Sequence, residues 1–518
     1  MTLTIKEGGT LGPTNYSSSK TIYAFKLGQN GTNATLTLIN QGTIQGKIGV
    51  EEWNNGSSTI TVKTFENKKN IDGHIYMGGY GTISIENFTN DGTITMTNTD
   101  EDKVIYFENS QNNGNKGNIH IKTFHNKNTG TIESKNNKNS IALHGLNSTT
   151  PTLENFINEG TIKGKIGIEN KNGNFTGTIT VKTFENKKTI DGDIYMGLWG
   201  GSGTISIENF NNAGTISGIS RNEKGVHFEG KNNAKVYIKT FHNQQNGTIE
   251  SKDRQGVYFQ GNVDLKSNDK PLHITLFNNE GFISGSGGDH LLDNDGERGY
   301  YSGGGVVMTS STIETFKNSG TIKSTGTNNY PGGVKLIRAT VNTFENTGLI
   351  SGLNGLVILK GTIENFINRG TIESTSQGGG EAAIRIQTAE LDPSSITNFT
   401  NEGIIKSSSN GVLIESGNKI ETLTNKRTIE SKLNGIGFLD DGGNTSPDNT
   451  HLGKIILEKG SSIKAGNNGI NIDNKSDKTI KVGGIEVKAG ASVVGREAGI
   501  YLSKTDEITA PITVSGTV

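Results

Sequence analysis

Apolar and polar residues alternate along nearly the whole chain, and the alternation slips by one residue at regular places. Ile60/Val62, Ile83/Ile85, Ile119/Ile121, Ile179/Val181 and Ile205/Ile207 are apolar pairs two residues apart. A period of two puts both members of a pair on one face of a strand. Phe follows three residues after the second member, as in Val62 to Phe65, Ile85 to Phe88 and Ile207 to Phe210. An odd step reverses the face, so burying both residues requires a bend or bulge between them. Parity then resumes: in the segment at 366–372, Phe366, Asn368, Gly370 and Ile372 would all point inward. Asn and Gly both tolerate positive φ, so Asn-x-Gly reads as a corner. A third strand follows as Gly-Val/Ile-x-apolar, at Gly225-Val226-His227-Phe228, Gly256-Val257-Tyr258-Phe259, Gly411-Val412-Leu413-Ile414 and Gly469-Ile470-Asn471-Ile472. Three strands and three corners per turn predict an all-β fold, a right-handed parallel β-helix of roughly triangular section. The handedness follows the general preference for right-handed parallel connections.

The phrase recurs fourteen times, as in TLENFINEGTI (152–162) and TIENFINRGTI (362–372). Its Asn falls at Asn40, Asn67, Asn90, Asn126, Asn158, Asn186, Asn212, Asn243, Asn279, Asn318, Asn346, Asn368, Asn401 and Asn425, at spacings of 22 to 39 residues. Such a period belongs to a solenoid whose turns carry loops of different lengths. An inward amide at the same corner of every turn needs partners, since a buried amide without them costs about 1–3 kcal/mol. Stacked turns lie ~4.8 Å apart, which lets one carboxamide donate to the next. The column therefore predicts a structural Asn ladder in preference to glycosylation sites, most of its members lying outside any Asn-x-Ser/Thr sequon.

Residues 1–35 lack the phrase and are expected to form a start or cap. Residues 36–440 form the Phe-x-Asn turns, and 441–518 continue the helix with Gly-Ala/Ser corners, about sixteen turns in all. At ~4.8 Å each these would make a rod on the order of 75 Å long. Within the solenoid ITVKTFENKK occurs at 60–69 and 179–188, and GTISIENF at 81–88 and 203–210. Ladder residues shift by 118, 119, 122 and 117 between the copies, so a four-turn block is duplicated in tandem, about 36–134 and 154–251. A modular stack, in which each turn touches only its neighbours, tolerates such a duplication. With no polar cap after Ile512, the natural solenoid is expected to continue.

Composition fits a thin core with a large polar surface: 30% hydrophobic residues, Gly at 73 of 518, and a net charge of −1. Ile, Val and Phe at fixed offsets argue against disorder. Lys and Glu are interspersed without a basic stripe, which argues against nucleic acid as a partner. Cysteine is absent, which excludes thiol catalysis and suits a chain that crosses a membrane unfolded. No apolar run reaches the ~18–20 residues of a membrane span. The first residues do not form a signal peptide, which is expected of an excised mature segment.

Phe-x-Asn-x-Gly-x-Ile followed by Gly-Ile/Val-x-apolar, in a cysteine-free chain rich in Asn, Gly and Thr, resembles the passenger domains of bacterial autotransporters (type V secretion) over about 36–502. The resemblance implies display on a Gram-negative outer membrane through a C-terminal translocator barrel absent from this chain. It also implies adhesin, self-association or toxin roles, some passengers carrying enzymes.

The chain holds no Gly-Asp-Ser-Gly, Gly-x-Ser-x-Gly or His-Glu-x-x-His motif, and no catalytic residue or cofactor is expected. The reading is a non-enzymatic adhesion or self-association module whose partner is a host-surface protein or glycan, or a second copy of itself. Candidate ligand-binding residues are Trp53, Tyr80, Trp199, Tyr300 and Tyr301, whose rings lie beside Gly or in loops and can stack on sugars or anchor a protein. A Ca²⁺ candidate is Asp293, Asp295 and Glu297, hard oxygen donors at alternating positions with a Gly turn. The alternative is a carbohydrate-active enzyme with that acidic loop at its cleft. Carboxylates clustered with Arg or Lys across successive turns would favour it.

Overall fold

The computed structural model describes residues 1–518 apart from 14–21, 29–32, 54–57, 97–101, 110, 113–114, 136–137, 171, 221, 232, 262–268, 287–302, 328–330, 379, 388–392, 440–448, 474–478 and 504–506. The chain divides into two compact units, residues 1–249 with 260–273, and 250–259 with 274–518. In each, strands stack in parallel into three sheets, and each unit is a right-handed parallel β-helix.

In the first unit the first sheet carries the Phe-x-Asn phrase, in strands such as Thr59–Asn67, Thr178–Asn186 and Thr204–Asn212. The second sheet is built from short strands such as Thr43–Gln45, Thr161–Lys163 and Thr189–Asp191. The third takes Lys47–Glu52, Ile75–Gly79, Lys103–Asn109, Asn139–Gly145, Lys165–Asn170, Ile194–Leu198 and Val226–Gly230. Residues 1–35, read from sequence as a start or cap, add strands to all three sheets. Thr2–Ile5 pairs with Thr37 to Asn40, Thr10–Leu11 with Thr43 and Ile44, and Tyr23–Gly28 with Lys47 to Glu51. In the second unit the first sheet runs through Ser311–Asn318, Thr340–Asn346, Thr362–Asn368, Ser395–Asn401, Lys419–Asn425, Asn449–Leu457 and Thr479–Val487.

The out-of-step residue is absorbed within one continuous strand. Val181 and Phe184 are both fully buried while Lys182 between them is exposed. The pairing runs Val181 to Ile207, then Thr183 to Asn209, skipping one residue on each strand. Turns that share this kink stay in register with one another. Where Leu36-Thr37-Leu38 lacks the extra residue, the register to the next turn shifts between Leu36 and Thr37.

Buried side chains stack in like columns. Phe65, Phe88, Phe124, Phe156, Phe184, Phe210 and Phe241 lie with ring centroids 4.4–5.1 Å apart. Phe277, Phe316, Phe344, Phe366 and Phe399 do the same in the second unit at 4.5–5.3 Å. Beside them runs the amide ladder. From Asn40 to Asn243, each Nδ2 donates to the Oδ1 of the next ladder Asn at 2.8 Å. From Asn279 to Asn425 the distances are 2.7–2.9 Å. The second Nδ2 proton reaches backbone carbonyls, as from Asn158 to Thr189 at 3.1 Å. The first stretch has Ile5 opposite Asn40, and the second has Leu457 opposite Asn425.

The Asn-x-Gly corner needs its glycine for a different reason than positive φ. Gly92, Gly214, Gly348 and Gly370 have ordinary φ. A Cβ on them would sit 2.0–2.1 Å from a carbonyl oxygen of the preceding turn. Backbone crowding between stacked turns, not the left-handed region, selects glycine here. Positive φ does occur where the repeat changes dialect, at Gly460 and Gly490 (82° and 79°).

Candidate functional site

On the third sheet alternate residues face inward and outward. In the first unit the inward row includes Ile48, Ile75, Ile105, Ile141, Ile166, Ile194 and Val226. The outward row opposes Gly49, Tyr76, Tyr106, Ala142, Gly167, Tyr195 and His227 across successive turns. Two residues further along each strand the outward row is Glu51, Gly78, Glu108, His144, Glu169, Gly197 and Glu229. Tyr, Glu and His thus sit side by side on one face, with glycines making room. A Cβ on Gly78 would lie 2.8 Å from the Tyr76 hydroxyl, and one on Gly197 2.6 Å from that of Tyr195, so each phenol folds over the glycine of its own strand.

Hydrogen bonds tie these groups between turns. Glu51, 4% exposed, accepts from the Tyr23 hydroxyl (2.6 Å) and Trp53 Nε1 (3.1 Å), and pairs with Lys26 (3.1 Å) and Lys47 (3.4 Å). Burial pushes the Glu51 carboxyl up, but the bonds from Tyr23, Lys26 and Trp53 and the charge of Lys47 outweigh it and hold it below its ordinary value. Tyr76 donates to Glu108 (3.2 Å) and Tyr195 to Glu229 (2.6 Å). Burial and these carboxylates raise both phenols above their ordinary range, so they remain donors at neutral pH. His144 Nε2 donates to Glu169 (3.1 Å), and in the neutral tautomer its Nδ1 accepts from the Tyr106 hydroxyl (3.1 Å). His227 is held well below its ordinary value by burial and by Lys224, and contacts Gln260 at 3.0 Å.

The chain matches no protein-family model, no curated protein and no solved structure.

Of the residues singled out from sequence, Trp53, Tyr80 and Trp199 lie at the margin of this face. Trp53, 40% exposed, stacks on Tyr76 (6.1 Å, 13°) and meets Tyr80 edge-on (5.1 Å, 82°). Trp199, 45% exposed, is held by its Nε1 donating to the Asn170 carbonyl (3.0 Å) and its backbone N–H donating to Asn170 Oδ1 (3.2 Å). Tyr300, Tyr301, Asp293, Asp295 and Glu297 lie outside the described residues. Among the described residues no group of three His, Cys, Asp or Glu side chains is placed to hold a metal ion. Sequence reading found the rings but missed the carboxylates and tyrosines between them. The usable signal was the duplication, which repeats Gly-x-Glu (Gly49/Glu51, Gly167/Glu169), Tyr-x-Gly (Tyr76/Gly78, Tyr195/Gly197) and aromatic-Phe-Glu (Tyr106/Glu108, His227/Glu229) on consecutive third strands.

The outward row of the second unit differs in chemistry: Val307, Lys335, Val357, Arg385 and Leu413 stand where the first unit has Tyr, Gly, Ala and His. Arg385 pairs there with Glu415 at 2.7 Å.

Proposed function

We propose that this chain is a surface-displayed adhesion module of the autotransporter-passenger kind, and that the third face of its first unit meets the partner. The observation carrying the reading is the pair of indoles, Trp53 and Trp199, left 40% and 45% exposed beside a row of fixed hydroxyl and carboxylate groups. A rigid aromatic plane with polar groups locked beside it gives an adhesive contact both area and direction at low entropic cost. Display outside a Gram-negative cell rests on the resemblance of the Phe-x-Asn-x-Gly-x-Ile turns to passenger domains. The test is a glycan and host-matrix binding screen with the purified chain, paired with an aggregation assay on displaying cells. Binding that survives in the Trp53→Ala/Trp199→Ala double variant would refute the assignment to this face. Aggregation without any host or glycan binding would favour self-association.

A second reading has one observation in its favour. Carboxylates and lysines cluster across successive turns (Glu51 with Lys26 and Lys47, Glu108 nearby), an arrangement a carbohydrate-active enzyme would use. Against it, Glu51 and Glu108 are only 4% and 5% exposed and bonded to neighbouring turns. A catalytic pair must reach both sides of a glycosidic bond. Release of reducing ends or unsaturated products from a polysaccharide panel, lost on Glu108→Gln, would establish the enzymatic reading instead.

A further inference from the structure

The tandem duplication gives the first unit the same outward constellation twice. Gly49, Glu51, Tyr76, Gly78, Tyr80 and Glu108 of the first block correspond to Gly167, Glu169, Tyr195, Gly197, Trp199 and Glu229 of the second. The structure keeps the correspondence in geometry as well as sequence. Glycine opposes tyrosine in both (Gly49 to Tyr76, Gly167 to Tyr195). The tyrosine hydroxyl donates to the carboxylate of the following turn in both, at 3.2 and 2.6 Å. At the strand end where Trp199 stands exposed, the first block has the half-buried Tyr80, packed edge-on against the exposed Trp53 of the preceding turn. Pairings from Ile75–Gly79 through Lys103–Asn109, Asn139–Gly145 and Lys165–Asn170 to Ile194–Leu198 put four turns between Tyr80 and Trp199. At ~4.8 Å per turn the two platforms are about 19 Å apart along the stacking direction.

Charge at the two places is paired within the protein. Lys26 and Lys47 serve Glu51, Lys165 lies by Asp193 and Glu223, and Lys231 pairs with Glu229 at 2.8 Å. A polyanion would find no unpaired cation among these, and would meet the carboxylate row. A neutral ligand with an apolar face for the indoles and hydroxyls for the part-exposed edges of Tyr195 and Glu169 meets both demands. Two like platforms at a fixed spacing suit a partner that itself repeats. From this we infer that the face holds one unbranched neutral polysaccharide laid across the strands, with Trp53/Tyr80 and Trp199 as its two aromatic subsites. The inference rests on the adhesion reading and specifies its ligand class.

Two linked weak subsites predict a step in affinity when one ligand becomes long enough to reach both, by about 100-fold or more. The experiment titrates the whole chain with cello-oligosaccharides and N-acetylchito-oligosaccharides of increasing length, with heparin as the polyanion arm. The expected result is weak binding of short oligomers and a sharp rise once both platforms are spanned. Trp199→Ala should abolish the rise while leaving short-oligomer binding at the other subsite, and Trp53→Ala should do the converse. Both rings are exposed, and unchanged thermal unfolding would show that the variants fold. Affinity independent of length, preference for heparin, or no oligosaccharide binding would each overturn the inference. If matrix protein is bound through Trp53 and Trp199 while every sugar fails, the adhesion reading stands and the polysaccharide falls. If matrix, cells and sugars all fail to bind, both fall.

Discussion

Replacing Asn186 by Ala isolates what the amide ladder contributes. Asn186 is fully buried; its Oδ1 accepts from Asn158 and its Nδ2 donates to Asn212, both at 2.8 Å, and to the Thr215 carbonyl at 3.2 Å. Removing the carboxamide leaves a donor on Asn158 and an acceptor on Asn212 buried without those partners. At about 1–3 kcal/mol for each group the loss is about 2–6 kcal/mol, with a smaller cavity contribution in addition. Asn425 offers the internal control. It accepts from Asn401 at 2.8 Å, but its Nδ2 reaches only the carbonyls of Arg427 and Ser462, because Leu457 occupies the next turn. Asn425→Ala therefore orphans one side-chain group where Asn186→Ala orphans two, and should cost less by about 1–3 kcal/mol. A stack of repeats need not unfold in one step. The assay is therefore urea unfolding combined with hydrogen-exchange protection of the strands flanking each site. Equal losses at the two positions would mean that each Asn acts only as a local corner cap, and the ladder would contribute nothing as a ladder.

Phe184→Ala, removing one ring from a stack with neighbours at 4.5 and 5.0 Å, should cost about 3–5 kcal/mol. Phe184→Leu should cost markedly less, since Leu38 and Leu423 already occupy this column; thermal melts of the two variants compare them. Gly348→Ala should destabilise by about 2 kcal/mol or more through overlap with the Gly320 carbonyl, 2.0 Å from the added Cβ, despite its ordinary φ. Gly460→Ala, with open space around the Cβ but φ of 82°, should lose only about 1–2 kcal/mol; reversal of this order in urea titrations would refute the crowding explanation. Lys335 is lowered to about 7 by burial and by Arg385. Between that value and its ordinary ~10.4 the unfolded chain binds more protons than the native one, so stability rises with pH across this window. Lys335→Met should raise the urea midpoint at pH 7 and flatten its rise toward pH 10.

The sequence by itself determined the period, the columns and the fold. Phe and Asn recur at fixed offsets because the stacked backbone offers each side chain a like neighbour ~4.8 Å above and below. Any residue that satisfies itself through its own copy, as Asn67 does with Asn90 at 2.8 Å, leaves a repeat that can be read directly. The bend between Val62 and Phe65 was legible for the same reason, since parity forbids burying both without it. What the linear pattern could not decide was how neighbouring turns crowd one another. The glycine of Asn-x-Gly reads as a φ requirement, yet Gly348 is fixed by a carbonyl belonging to a different turn. The face proposed to bind was hidden likewise. Glu51, Tyr76 and Glu108 lie on three consecutive strands of the third sheet, separated by loops of unlike length. Only the stacking register, a property of tertiary structure, sets a tyrosine from one turn beside the carboxylate of the next.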